Sequence, residues 1–208
     1  MLPKDITDIL DNYDPEDLNI QITKVDYEAN EPTFDIELSA TGYNDEENIT
    51  SHWTIQTIRY RKCDISLYFG TTLQINTTHP ILWQFSDVQS SLYFSGTCSD
   101  ADKLFMDLFN LHHSVTENLI PFEKTLHRIY QFRESMKVTS GLLADGPKKL
   151  LTHYASLLEK YNLQFTIIGD RTPTFWNGEK HIQESGTAKI LFIDNSYVIA
   201  DEFKFIAR

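Results

Sequence analysis

Period-two alternation dominates the first half of the chain. Phe34, Ile36, Leu38 and Ala40 alternate with Asp35, Glu37 and Ser39, the mark of a half-buried antiparallel strand. Ile20 and Ile22 open an earlier strand, and residues 53–60 repeat the pattern. Shorter apolar runs at 65–69, 73–75, 82–85 and 92–94 are separated by turns, so the segment reads as a meander. An amphipathic helix over 3–10 precedes it, with Ile6, Ile9 and Leu10 on one side and Asp11-Asn12-Tyr13-Asp14-Pro15 ending it. Residues 44–48 form a polar turn.

At Ser99 the period changes to that of a helix. Ser99-Asp100-Ala101-Asp102 resembles a capping box, and Leu104, Phe105, Leu108, Phe109 and His112 follow at helical spacing. Pro121 interrupts the pattern, and Phe122, Leu126, Ile129 and Tyr130 predict a second helix. Residues 141–146 read as a loop. Pro147 then opens a third helix whose buried face runs from Leu150 to Tyr161, with Asn162 suited to a left-handed cap. Strands return at 164–168, at a hairpin around Asn177-Gly178, and at 189–193 and 197–201 flanking Asp194-Asn195-Ser196. The unbroken apolar runs of that last pair predict strands covered on both faces.

The sum is an α+β fold: an antiparallel β meander, two or three helices, then C-terminal β-hairpins packed in one globular unit. The chain 1–208 reads as a single domain. Any lobe boundary belongs near Cys98, between a β-rich 1–98 and a helical 99–208 that ends in strands.

Composition narrows the compartment and the partners. Hydrophobic residues are 41% of the 208 and charged residues 23%, which is globular. The N-terminus carries no apolar leader, and no apolar run approaches the ~20 residues of a membrane span. The two cysteines, Cys63 and Cys98, are isolated and read as reduced, so a cytoplasmic protein is expected. A net charge of −12 without a Lys/Arg cluster argues against nucleic acid and against anionic membranes.

The charge is concentrated. Residues 1–50 hold 14 Asp and Glu against Lys4 and Lys24, and the remaining 16 acids are balanced by 16 Lys and Arg. Asp26 and Glu28 share one strand face by the period of two, as do Asp35 and Glu37. If the strands are neighbours, four carboxylates gather into a patch that attracts a basic protein partner. The plain alternative is a solvated sheet face, with Arg59, Arg61 and Lys62 lying across it. Trp176, beside the Asn-Gly turn, is a second candidate contact because an exposed Trp often anchors an interface.

Other motifs carry less. Asp11, Asp14, Glu16 and Asp17 miss the oxygen spacing and glycine of a calcium loop. His113 and Glu117 are four apart, and His127 lies beyond Pro121, but the HExxH order of a zinc helix is absent. The Gly141–Lys149 region lacks the strand, lysine order and hydroxyl of a phosphate loop, leaving Lys148 and Lys149 at a helix start as a weak anion site. No nucleophile motif stands out, so no catalytic residue, metal or cofactor is assigned. The expectation is a non-enzymatic adaptor or inhibitor-like protein with an acidic N-terminal surface. The alternative is a small-ligand binder or enzyme with a pocket between sheet and helices, lined by His112, His113, His127 and aromatic strands.

Overall fold

A computed structural model describes residues 1–27, 31–42, 48–66, 69–176, 179–184 and 186–208. Helix α1 (Lys4–Asn12) is followed by strands β1 (Leu18–Asp26), β2 (Thr33–Ala40), β3 (Ile49–Ile58), β4 (Lys62–Asp64), β5 (Phe69–Gly70) and β6 (Leu73–Asn76). Then come α2 (Trp83–Ser86), β7 (Gln89–Ser95), α3 (Ala101–Thr116), α4 (Phe132–Ser135), β8 (Ser140–Pro147) and α5 (Lys148–Lys160). The chain closes with β9 (Gln164–Arg171), β10 (Thr174–Trp176), β11 (His181–Gln183), β12 (Lys189–Ile193), β13 (Ser196–Ala200) and β14 (Glu202–Ala207). Strand exceeds helix, 42% against 30%, and every sheet is antiparallel, so the class is α+β. No helix among the described residues is long and apolar enough to cross a membrane.

The contacts fall into two compact units. The first joins residues 1–79 to 187–208; the second is the continuous stretch 80–186, which contains Cys98. The first holds a five-stranded sheet in the order β14-β3-β2-β1-β5 and a four-stranded sheet in the order β4-β13-β12-β6. Their apolar sides share one core with α1, in which Ile6, Phe34, Ile36 and Ile55 meet Leu191, Ile193 and Val198. Alternation decides the faces: Phe34, Ile36, Leu38 and Ala40 are all buried, as their period predicts. β13 is buried at every position, in keeping with its unbroken apolar run.

The second unit packs α3 and α5 with the sheet β8-β7-β9, and the hairpin β10–β11 forms a separate two-stranded ribbon. Leu104 and Leu108 from α3 meet Leu150, Leu151, Tyr154 and Leu158 from α5 over Leu92 and Phe94 of β7. Burying each such side chain contributes roughly 1.5–3 kcal/mol. Asp100 caps α3, its carboxylate accepting the Lys103 N–H at 2.9 Å, one residue past the Ser99 that opens the capping-box pattern. Asn162 is left-handed after α5, as expected.

Three local expectations are corrected, and one strand is added. Residues 82–85 are helical, because Pro80 starts a 3₁₀ turn over Pro80–Leu82 that runs into α2. Residues 141–146 are strand β8, not a loop: they pair with β7, and Gly141 lets the backbone close on Phe94, whose ring lies 3.2 Å from where a Cβ would be. Residues 122–130 form 3₁₀ turns rather than a helix. Leu126 bridges Ala144, His127 N–H donates to Leu143 O (2.8 Å), and Asp145 N–H donates to Thr125 O (2.9 Å), so the edge of β8 takes backbone groups that a continuous helix would use itself. Residues 202–207, unassigned from sequence, form β14 on the edge of the five-stranded sheet beside β3. The expected strand at 65–69 and turn at 44–48 fall partly outside the described residues, as does the Asn177-Gly178 turn.

Candidate functional site

The register of the five-stranded sheet puts the expected acidic residues on its polar face. Lys24 lies opposite Asp35, Asp26 opposite Thr33, and Glu37 between Gln21 and His52. Two of the described carboxylates of the set, Asp26 and Asp35, have a cationic partner, and the third, Glu37, has an imidazole beside it. Asp26 pairs with Lys24 at 3.3 Å, and Glu37 lies 3.6 Å from the His52 ring. Asp35 is buried, 9% exposed; it accepts from Thr54 Oγ1 at 2.9 Å and from the Arg208 guanidinium at 2.8 Å. Glu28 lies outside the described residues. Arg59 and Arg61 each reach Asp201 at 3.1 Å, while Lys62 sits over the Tyr197 ring.

A second group of early acids has a different setting. Asp5, Asp8 and Asp11 are exposed on α1, and Asp14, Glu16 and Asp17 follow in the 3₁₀ turn Pro15–Asp17 and just before it. None of these six side chains is in an ion pair among the described residues, and Lys4 is the one cation of the segment 4–17. The helix turns Ile6 into the core, which leaves its acids outward. Beside it runs a mainly apolar groove of about 510 Å³, lined by Leu2, Thr7, Leu73, Ile75 and Lys189 among others.

The histidines separate. His112 is fully buried in the second unit. Its Nε2 lies 2.6 Å from the Ile120 carbonyl and its Nδ1 2.6 Å from the Tyr154 hydroxyl. A carbonyl only accepts, so Nε2 carries the proton and Tyr154 donates to Nδ1: the ring is neutral and fully used. Burial pushes the His112 imidazole below its ordinary range and the Tyr154 phenol above its own. His113 packs on Phe109 with ring centroids 4.1 Å apart, and both its nitrogens are buried. His127 is exposed and lines a cleft between β8 and the α4 segment. Among the described residues, no three His, Cys, Asp or Glu converge closely enough to hold a metal ion.

At the start of α5 the protein supplies its own anions. Asp87 accepts the Lys149 N–H at 2.6 Å, and Asp170 holds the Lys148 ammonium at 3.0 Å. Lys148, with help from Ser90, keeps the Asp170 carboxyl below the usual carboxylate range. Trp176 is exposed at the end of β10, its ring 5.3 Å from that of its cross-strand partner His181. Cys63 is flanked by the Tyr60 and Tyr27 hydroxyls at 3.3 and 3.2 Å; burial, and then that contact with sulfur, raises the Tyr60 phenol.

Some partners had no local signal. Arg208 reaches Asp35 across 173 positions, and Tyr154 reaches His112 across 42. Only the fold brings such pairs together. Fold and site thus define an α+β protein with an acidic N-terminal helix and a polar cleft. No family model, curated protein or solved structure matches the chain.

Proposed function

We propose that this is a cytoplasmic, non-enzymatic protein-interaction module whose acidic N-terminal surface takes a basic, amphipathic segment of another protein. The observation that carries the reading is the run of six carboxylates on α1 and the following turn that form no ion pair among the described residues, beside an apolar groove. Charge complementarity raises the association rate, and apolar side chains in the groove would hold the complex. The free thiols of Cys63 and Cys98 favour a reducing compartment. On the sheet, Asp26 and Asp35 serve this role less well, because Lys24 and Arg208 already pair with them, and Glu37 has the His52 ring beside it.

The test is binding of a fluorescein-labelled amphipathic lysine–leucine peptide, read by anisotropy at low and high salt. Wild type binds and loses affinity with salt, whereas D5K/D8K/D11K does not bind. Equal binding by that variant removes the reading.

A second reading, a small-ligand-binding protein, has its own support in the cleft beside His127. Its volume is about 330 Å³, at the lower end for a small-molecule site, and it lies between a sheet and a helical segment. His112 and His113 are not among its lining residues. A thermal-shift panel of metabolite classes checks this reading, and no shift in any class would remove it.

A further inference from the structure

We infer that the cleft between β8 and the α4 segment binds a small organic anion, a carboxylate or phosphate monoester on a compact apolar body, with Arg128 as its anchor. The inference rests on the second reading above and names the ligand class that the cleft would take.

Arg128 sits in the left-handed region, φ 49° and ψ 46°, a conformation that favours glycine and asparagine. The chain carries an arginine there all the same. The other left-handed arginine, Arg59, has an explanation within the protein: its guanidinium meets Asp201 at 3.1 Å. Arg128 has none of that kind, since no carboxylate among the described residues pairs with it, although it lines the cleft. The two cations that follow it in the chain are already engaged: Arg133 with Asp102, and Lys137 with Glu134 at 2.7 Å. The Lys137 pairing also neutralises Glu134, the one carboxylate on the cleft wall. With Glu134 already paired to Lys137, Arg128 is the cation on the cleft wall that has no carboxylate partner among the described residues, and the exposed His127 is adjacent in sequence.

The setting is pre-organised. The bridge between Leu126 and Ala144, and the bond from His127 N–H to Leu143 O, fix the backbone immediately before Arg128. On its far side, Arg128 O accepts the Gln131 N–H at 2.8 Å. Ser140 and Leu142 of β8 also line the cleft, and the Phe94 ring lies against Gly141. A guanidinium and a hydroxyl-bearing residue lining one cleft suit a carboxylate or phosphate, and Phe94, Val138 and Leu142 of the same lining suit the apolar body that bears it.

The experiment is a titration of ¹⁵N-labelled full-length protein with four probes: benzoate, phenyl phosphate, inorganic phosphate and the neutral isostere benzamide. Amide shifts of Arg128, Gln131, Ser140 and Gly141 are followed. Benzoate or phenyl phosphate is expected to shift these amides saturably, with affinity falling as salt rises, and benzamide roughly tenfold more weakly or not at all. The comparison of benzoate with phenyl phosphate tells which acid is preferred, and inorganic phosphate tells whether the apolar body contributes. R128G is expected to abolish binding while its melting temperature equals or exceeds that of wild type, since glycine suits the left-handed site. S140W, which fills the cleft, is expected to abolish binding too. If benzamide binds as tightly as benzoate and S140W removes both, the anion assignment fails but the ligand-binding reading stands. If no probe shifts these amides, or R128G binds as wild type does, the inference is overturned; silence from every probe counts against the ligand-binding reading as well.

Discussion

Both nitrogens of the His112 ring are used, one donating to Ile120 O and one accepting from Tyr154. The neutral form alone satisfies both bonds, and burial opposes the charged form. Folded His112 therefore titrates below the ordinary value near 6.5. Between the lowered value and 6.5 the unfolded chain binds a proton that the folded chain refuses. Stability from this group is complete above about 6.5 and is lost as pH falls below it. Urea midpoints measured from neutral to mildly acidic pH should fall for wild type, and H112Q should flatten that slope. Tyr154→Phe leaves Nδ1 buried without a donor and should cost about 1–3 kcal/mol, read as a drop in the urea midpoint at neutral pH. His112 was legible in the sequence as a packed member of an apolar stripe. Its partner was not, because nothing near residue 112 points to residue 154.

At the scale of elements, the helical stripes of α3 and α5 and the short strand runs at 73–75, 92–94, 189–193 and 197–201 match the fold, whereas 82–85, 122–130 and 141–146 do not. The third helix, α5, follows its stripe of Leu150, Leu151, Tyr154, Leu157 and Leu158, all buried. Its first turn has no side-chain cap of its own from Pro147, so Asp87, 62 positions earlier, accepts the Lys149 N–H. Asp87→Ala should cost about 1 kcal/mol, within the range of helix-cap losses, visible as a lower melting temperature at neutral pH. Residues 122–130 misled because Phe122, Leu126 and Ile129 fit a helical period, yet the edge of β8 takes the backbone groups of Thr125 and His127 that a continuous helix would use itself. Local propensity is weak, and sheet-edge hydrogen bonds decide such cases. The arginine of the candidate anion cleft lies in the same stretch, so a helical reading there hid it.

On the scale of the whole molecule, the chain leaves its first unit at residue 79 and returns at 187. Segment 80–186 has a core of its own, built from α3, α5 and β7, and should fold cooperatively when expressed alone. Circular dichroism with a sigmoidal thermal transition checks this; a featureless melt would contradict it. A fragment of residues 1–79 should stay unfolded. It lacks β12 and β13, the two central strands of the four-stranded sheet, and β14, which covers β3. Alternation along the chain determined which side of each long strand faces inward, and the 3.6-residue period determined α3 and α5, because those signals are local and repeat many times over. Strand order, the pairing of Asp35 with Arg208, and the left-handed arginine beside a cleft were decided by the tertiary structure alone. They depend on which distant backbones find each other's hydrogen-bonding edges, and no short window of residues records that choice.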